Sequence, residues 1–147
     1  MFLNLLLGII TVGVTVLIQG YGTYFWLERL RIYRSRLEKA DFRKKTVKII
    51  ILTACFIIIL HLIQAGLWAT LYVAIPGVDE FQSFEKAMYF SLVTFTTLGY
   101  GEITIDSSNR ILAGLEALNG IILVGWSTAL MFSIFLEILK GERMYKN

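Results

Sequence analysis

Apolar residues in this chain gather into three long runs and one short one. Residues 1 to 27 carry no charge, residues 46 to 75 carry only Lys48 as a fixed charge, and within residues 110 to 139 the only charges past Arg110 are Glu116 and Glu137. A hydrocarbon core of about 30 Å takes roughly 20 helical residues to cross, so each long run predicts a membrane-spanning helix. Runs of about 30 residues reach roughly 45 Å and are expected to tilt or protrude. The short run, residues 83 to 96, is apolar and aromatic but too short to cross, and it leads into a glycine-rich stretch bounded by polar residues. A re-entrant helix fits that length. The first run is not read as a cleaved signal peptide. It has no basic start, its apolar stretch is too long, and no small-residue cleavage site follows.

The expected fold class is therefore an all-α integral membrane protein, with three transmembrane helices plus one re-entrant helix. Composition agrees: 56% of the 147 residues are hydrophobic and there is a single proline. Mean hydropathy is +0.68. The charges are placed unevenly. Nine of the fourteen Lys and Arg lie between Arg29 and Lys48, whereas the stretch from Pro76 to Asn109 holds five acids against Lys86 alone. The positive-inside rule then puts residues 28 to 45 and the tail from Lys140 to Asn147 in the cytoplasm, and the acidic segment outside. An odd number of spans makes the N-terminus external. Because the basic residues cluster beside apolar spans, lipid headgroups rather than nucleic acid are the expected partner of the positive charge. The lone Cys55 excludes an intrachain disulfide and reads as a small packed hydrophobe.

Non-helical backbone at membrane depth is tolerated only where it is buried in protein or lines a water-filled path. Residues Thr96-Thr97-Leu98-Gly99-Tyr100-Gly101-Glu102 follow the short helix. Glycine at alternate positions permits φ > 0, so that successive carbonyls can face the same way, and several such strands around an axis make stacked oxygen rings. Leu98 and Tyr100 would turn away from the axis and brace the strand from behind.

This run, preceded by a short helix and set between two spans, resembles the signature of the potassium channel pore-domain family. The resemblance covers residues 46 to 139 and includes Gly120 near the middle of the last span. It implies an outer helix (46–75), a pore helix (83–96), a selectivity filter (97–101) and an inner helix (110–139), repeated fourfold in a homotetramer that passes K+ without any other cofactor. It also implies that Thr97, Leu98, Gly99, Tyr100 and Gly101 supply the ion-binding backbone, with Thr96 at the base of the filter. Leu98 stands where valine is commonest, and Glu102 where aspartate is more usual. Val93 occupies a position that is glutamate in some relatives and pairs there with the acid after the filter, so that pairing is expected to be missing. The acids Asp79, Glu80, Glu85, Glu102 and Asp106 would concentrate cations at the outer mouth. A weakly selective cation channel and a non-conducting membrane scaffold are the alternative readings. An enzyme is not expected, since no nucleophile, metal cluster or phosphate loop is present.

Ionisable groups inside a span are costly and face protein or water. Counting along the helices puts Trp68 near the depth of Glu116, and Gln64 near Asn119, with His61 slightly deeper. The expectation is a buried polar patch joining the last two spans, in which Glu116 supports the filter by hydrogen bonds. Gly125, Ala129 and Ser133 repeat every four residues, a spacing that allows close helix approach, and with Gly120 as a possible bend they are the gating candidates. Leu30, Tyr33 and Leu37, interleaved with Arg31, Arg34, Arg36 and Lys39, predict an amphipathic helix on the inner leaflet that binds anionic lipid. The uncharged first span is not a voltage sensor and is expected to pack around the outside of the pore. With no room for a nucleotide-binding domain, gating is expected to come from lipid, tension, pH, the filter or a partner. The expected location is a cell membrane of the plasma or bacterial inner type.

Overall fold

The computed structural model describes residues 2–35, 42–75, 81, 83–105 and 109–146. They form four helices, α1 (Phe2–Ser35), α2 (Phe42–Ala74), α3 (Phe84–Phe95) and α4 (Arg110–Lys146), and no strand. Stretches of α1, α2 and α4 are long and apolar enough to cross a bilayer, namely Phe2–Ile32, Thr46–Ala74 and Arg110–Lys140, with mean hydropathies of 2.2, 2.5 and 2.0. The chain is a membrane protein.

Each long helix overruns its expected bounds. Between Thr23 and Ser35 there is neither glycine nor proline to stop α1, so it continues through Arg31 and Arg34. Residues 28 to 35, the first part of the expected amphipathic segment, thus continue the first span rather than forming a separate helix on the leaflet. Leu30 sits in a buried cluster with Ile49, Leu130, Ile134 and Ile138, and a helix lying flat on lipid would not present it there. Arg36, Leu37 and Lys39 lie outside the described residues.

The short α3 has well-defined ends. Ser83, in an extended conformation, caps the N-terminus by accepting from the Lys86 amide at 3.3 Å, which satisfies one of the helix's orphan donors, and Glu85 in the first turn complements the helix dipole. At the other end Thr96 N–H donates to the Leu92 carbonyl. One face of α3 packs on α2 through aromatic rings: Tyr72 with Phe81 and Phe90 at 5.4 and 5.2 Å between centroids, and Phe81 with Phe90 at 5.1 Å. Such tilted and edge-on pairs add to the area each ring buries. Trp68, Ala69, Leu112 and Leu123 complete this core, which fixes the height and tilt of α3 between α2 and α4.

The first span is part of the same core. Gly8 lets α1 approach α4 so closely that a Cβ there would meet Leu115 Cδ1 at 2.6 Å. Further down, Trp26 stacks on Phe56 at 4.5 Å and donates to Thr53 at 2.9 Å. Cys55, expected to be packed, is exposed on α2.

Candidate ion filter and its support

The strand after α3 leaves the helix by a tight backbone turn. The Val93 carbonyl accepts from the amides of both Leu98 and Gly99, at 2.9 and 3.2 Å, and Thr97 N–H donates to the Thr94 carbonyl at 2.9 Å. The last turn of the helix thus sets where the strand starts. Beyond it the backbone alternates, with positive φ at Thr97 (59°), Gly99 (55°) and Gly101 (84°). Glycine takes such angles freely, but threonine does so at a cost of about 1–3 kcal/mol, so Thr97 is a strained position held by its surroundings. Residues 96 to 102 are all exposed in the single chain. Leu98 and Tyr100, expected to brace the strand from behind, instead expose 54% and 66% of their surface.

Two contacts hold this segment from outside the strand. At the outer end the Tyr89 hydroxyl on α3 donates to Glu102, and that hydrogen bond raises the phenol above its ordinary pKa. Tyr89 lies one turn before Val93, so Glu102 has a tether on α3 even though position 93 lacks a carboxylate. Sequence reasoning missed it. The available signal was a tyrosine four residues ahead of Val93, on the same face of a helix.

At the inner end, Gly120 is buried under α3. A Cβ on it would stand 1.9 Å from the Phe95 carbonyl oxygen and 2.8 Å from the carbonyl carbon. The glycine is therefore required by packing against the end of α3, and α4 runs through it as a continuous helix rather than breaking there. Gly125, Ala129 and Ser133 lie further along α4 and all are exposed in the single chain, with Ser133 Oγ turned back to the Ala129 carbonyl at 2.9 Å.

Glu116 is fully buried. Ser91 on α3 donates to its Oε1 at 2.6 Å, and Tyr72 on α2 donates to its Oε2 at 2.7 Å. A buried carboxylate is tolerable only when hydrogen-bonded, and here both oxygens are served. The three groups join α4, α2 and α3 at one point. The partner on α2 is Tyr72 rather than Trp68, whose indole N–H has no partner among the described residues. The difference is one helical turn, which counting depths along separate helices does not resolve.

Nor do Gln64, Asn119 and His61 join Glu116 in a single patch between two spans. They bond instead to α1 and to Ser127. Asn119 donates to Thr15 Oγ1 at 2.8 Å, Gln64 donates to Gln19 Oε1 at 2.9 Å, and Gln19 in turn donates to Ser127 Oγ at 2.9 Å. His61 Nε2 meets the same Ser127 hydroxyl at 2.9 Å, with its ring edge-on to Phe95 at the foot of α3. The candidate lipid-contacting residues stand apart at the other end of the bundle: Arg31 is exposed there and Arg34 lies three residues further along, near the end of α1. Of the acidic mouth, Glu85 and Glu102 are exposed, and Asp79, Glu80 and Asp106 lie outside the described residues. No cluster of three or more metal-ligating side chains occurs among the described residues.

Comparison with known proteins bears on this arrangement. Residues 48–137, covering the outer helix, the short helix, the strand and most of the inner helix, match a family model described as ion channel. The chain belongs to that family. It is a family of channels, not of enzymes, and the match takes in both the Val93–Gly99 turn and the Glu116 site of this channel-family chain. Among curated proteins it is similar to a cyclic nucleotide-gated potassium channel of Mesorhizobium japonicum, 33% identical over 66 residues, which is 44% of this chain and 19% of that protein. A cyclic nucleotide-gated potassium channel of Rhizobium etli is 39% identical over 66 residues, again 44% of this chain and 19% of the relative. The chain thus spans about a fifth of the length of these relatives. No solved structure matches it.

Proposed function

We propose that four copies of this chain form a potassium-selective pore in a cell membrane, with the N-terminus outside and the C-terminus in the cytoplasm. The observation that carries the reading is the strand from Thr97 to Gly101, whose alternating positive φ angles let carbonyls face a common side while its flanks stay uncovered in one chain. One strand cannot surround an ion, and a fourfold ring both completes the coordination and covers Leu98 and Tyr100. Carbonyl rings replace the water a monovalent cation sheds on entry. In this reading Thr97, Leu98, Gly99, Tyr100 and Gly101 bind the ion, Thr96 stands at the base, and Glu102 and Glu116 support the filter. The names of the two relatives favour potassium. The exposed stripe of Gly125, Ala129 and Ser133 is where inner helices of neighbouring copies approach each other and where the pore opens and closes.

The test is flux through liposomes holding the purified protein, with potassium inside and potassium, rubidium or sodium outside. The expected result is potassium and rubidium flux with little sodium, abolished by Gly99→Ala, because alanine is strained at the φ of 55° this position adopts. Equal sodium flux would replace selectivity with a general cation pathway. A protein that assembles yet passes no ion in neutral or anionic lipid, or at lowered pH, would favour a scaffold.

A further inference from the structure

Three buried side chains in the joint between α1, α2 and α4 each keep one polar atom without a hydrogen-bonding partner among the described residues: the Trp68 indole N–H, Gln64 Oε1 and Asn119 Oδ1. Trp68 and Gln64 are wholly buried and Asn119 is 1% exposed. Orphaned polar atoms are costly in such surroundings, and each one calls for a partner. Contacts on either side bring the three residues to one level. Tyr72 stands against Glu116 and His61 against Ser127, so eleven residues of α2 are matched by eleven of α4 running the other way. Three residues from Glu116 comes Asn119, and three from Tyr72 comes Ala69, which leaves Trp68 within one residue of the level of Asn119, about 1.5 Å along the axis. Gln64 follows one turn on, on the same face of α2 as Trp68. Thr15 of α1 ties the two amides together. Its hydroxyl accepts from Asn119 Nδ2 at 2.8 Å and its carbonyl from Gln64 Nε2 at 3.4 Å.

Hydrogen-bond chemistry fixes which way both amides face. The Thr15 hydroxyl proton is committed to the Val12 carbonyl at 2.8 Å, so the Asn119 atom beside that oxygen must donate. A carbonyl only accepts, so the Gln64 atom beside the Thr15 carbonyl is the nitrogen. The orphans are therefore one donor and two acceptors. The indole N–H repels a cation, the two amide oxygens repel an anion, and a hydrocarbon chain satisfies none of the three. Water accepts once and donates twice, and about three hydrogen bonds is its usual number at a buried site. We infer that one ordered water molecule is bound here, accepting from Trp68 and donating to Gln64 Oε1 and Asn119 Oδ1. It links α2 to α4 beside Gly120, the residue on which the foot of α3 rests.

An experimental structure of the full chain in lipid nanodiscs, at a resolution that shows solvent, tests the site. Wild type is expected to show a single solvent peak about 2.7–3.2 Å from each of the three atoms. Trp68→Phe removes the donor and Asn119→Leu removes one acceptor, so each should lose the peak. Trp126→Phe, which alters an exposed indole elsewhere on α4, should keep it. If the first two variants fail to fold, magnetic cross-relaxation in the wild type decides alone: with isotope-labelled tryptophan, the Trp68 indole proton should show a cross-peak to water and the Trp126 indole none. A wild-type map with no solvent peak among the three atoms would overturn the proposal. So would a Trp68 indole without a water cross-peak, or a peak that survives either Trp68→Phe or Asn119→Leu. Neither measurement involves ion flux, so a protein that holds the water but does not conduct overturns only the function proposed above.

Discussion

A methyl group at position 120 would sit 1.9 Å from the Phe95 carbonyl oxygen, and backbone on both sides leaves no flexible side-chain end to move aside. Gly120→Ala should therefore push the foot of α3 away from α4. The expected cost is about 1–3 kcal/mol, typical of overpacking, read from denaturation of the protein in detergent. An unchanged midpoint would show that α3 can shift freely. Glu116 makes the opposite kind of demand. Glu116→Leu leaves the Ser91 and Tyr72 hydroxyls buried without their acceptor and should destabilise by about 1–3 kcal/mol for each orphaned group, whereas Glu116→Gln, which still accepts through its amide oxygen, should lose less. The same pair of variants tests filter support. A Glu116→Gln channel with unchanged conductance and open probability would show that the joint holds α3 without influencing the strand beyond it.

Among the elements, α1 departs most from what the sequence predicts for it. Its length and lack of charge identify it as a span, but the apolar residues around its whole circumference hide which side meets protein. The information was present at low contrast. Asn4, Gly8, Thr11, Thr15, Gln19, Gly22 and Trp26 follow one another at steps of three and four, and every one of them is buried or half-buried. Small and polar residues mark helix contacts inside a membrane, where large apolar ones face lipid equally well. The positive φ angles of the strand after α3 were readable for the converse reason, because glycines at alternate positions serve a backbone conformation that few other settings need. The Tyr72 contact was not readable, since it depends on register between helices to within a single turn. Gln64→Leu tests the α1 joint. Removing its bond to Gln19 should destabilise by about 0.6–1.7 kcal/mol, the range for hydrogen bonds between membrane helices, and should loosen α1 more than α3. Protease accessibility of sites engineered on each helix reads the difference.

Across the whole molecule, the surfaces left uncovered in one chain lie where the proposed neighbours stand. Tyr100 exposes 66% of its surface in the single chain, an amount of aromatic area that assembly would remove from water. Tyr100→Ala should lower the temperature at which the solubilised oligomer dissociates, and mass determination before dissociation should return four chains. An unchanged dissociation temperature would place Tyr100 outside the subunit contact. The same molecule-wide view explains why α1 cannot be an optional addition to a two-span pore. Without it Gln64 and Asn119 would turn their polar groups toward hydrocarbon.

The separation of these partners along the chain also governs how the protein is made. Thr15 waits for Asn119, and Gln19 for Ser127, across 104 and 108 residues. At synthesis rates of roughly 5–20 residues per second, α1 stands in or beside the membrane for about 5 to 20 seconds before the helix that satisfies Gln19 exists. During that interval its amide must be sheltered by the insertion machinery or by Gln64 on the intervening helix, so α1 and α2 are expected to enter the bilayer as a pair, and α4 to complete a partly assembled hairpin.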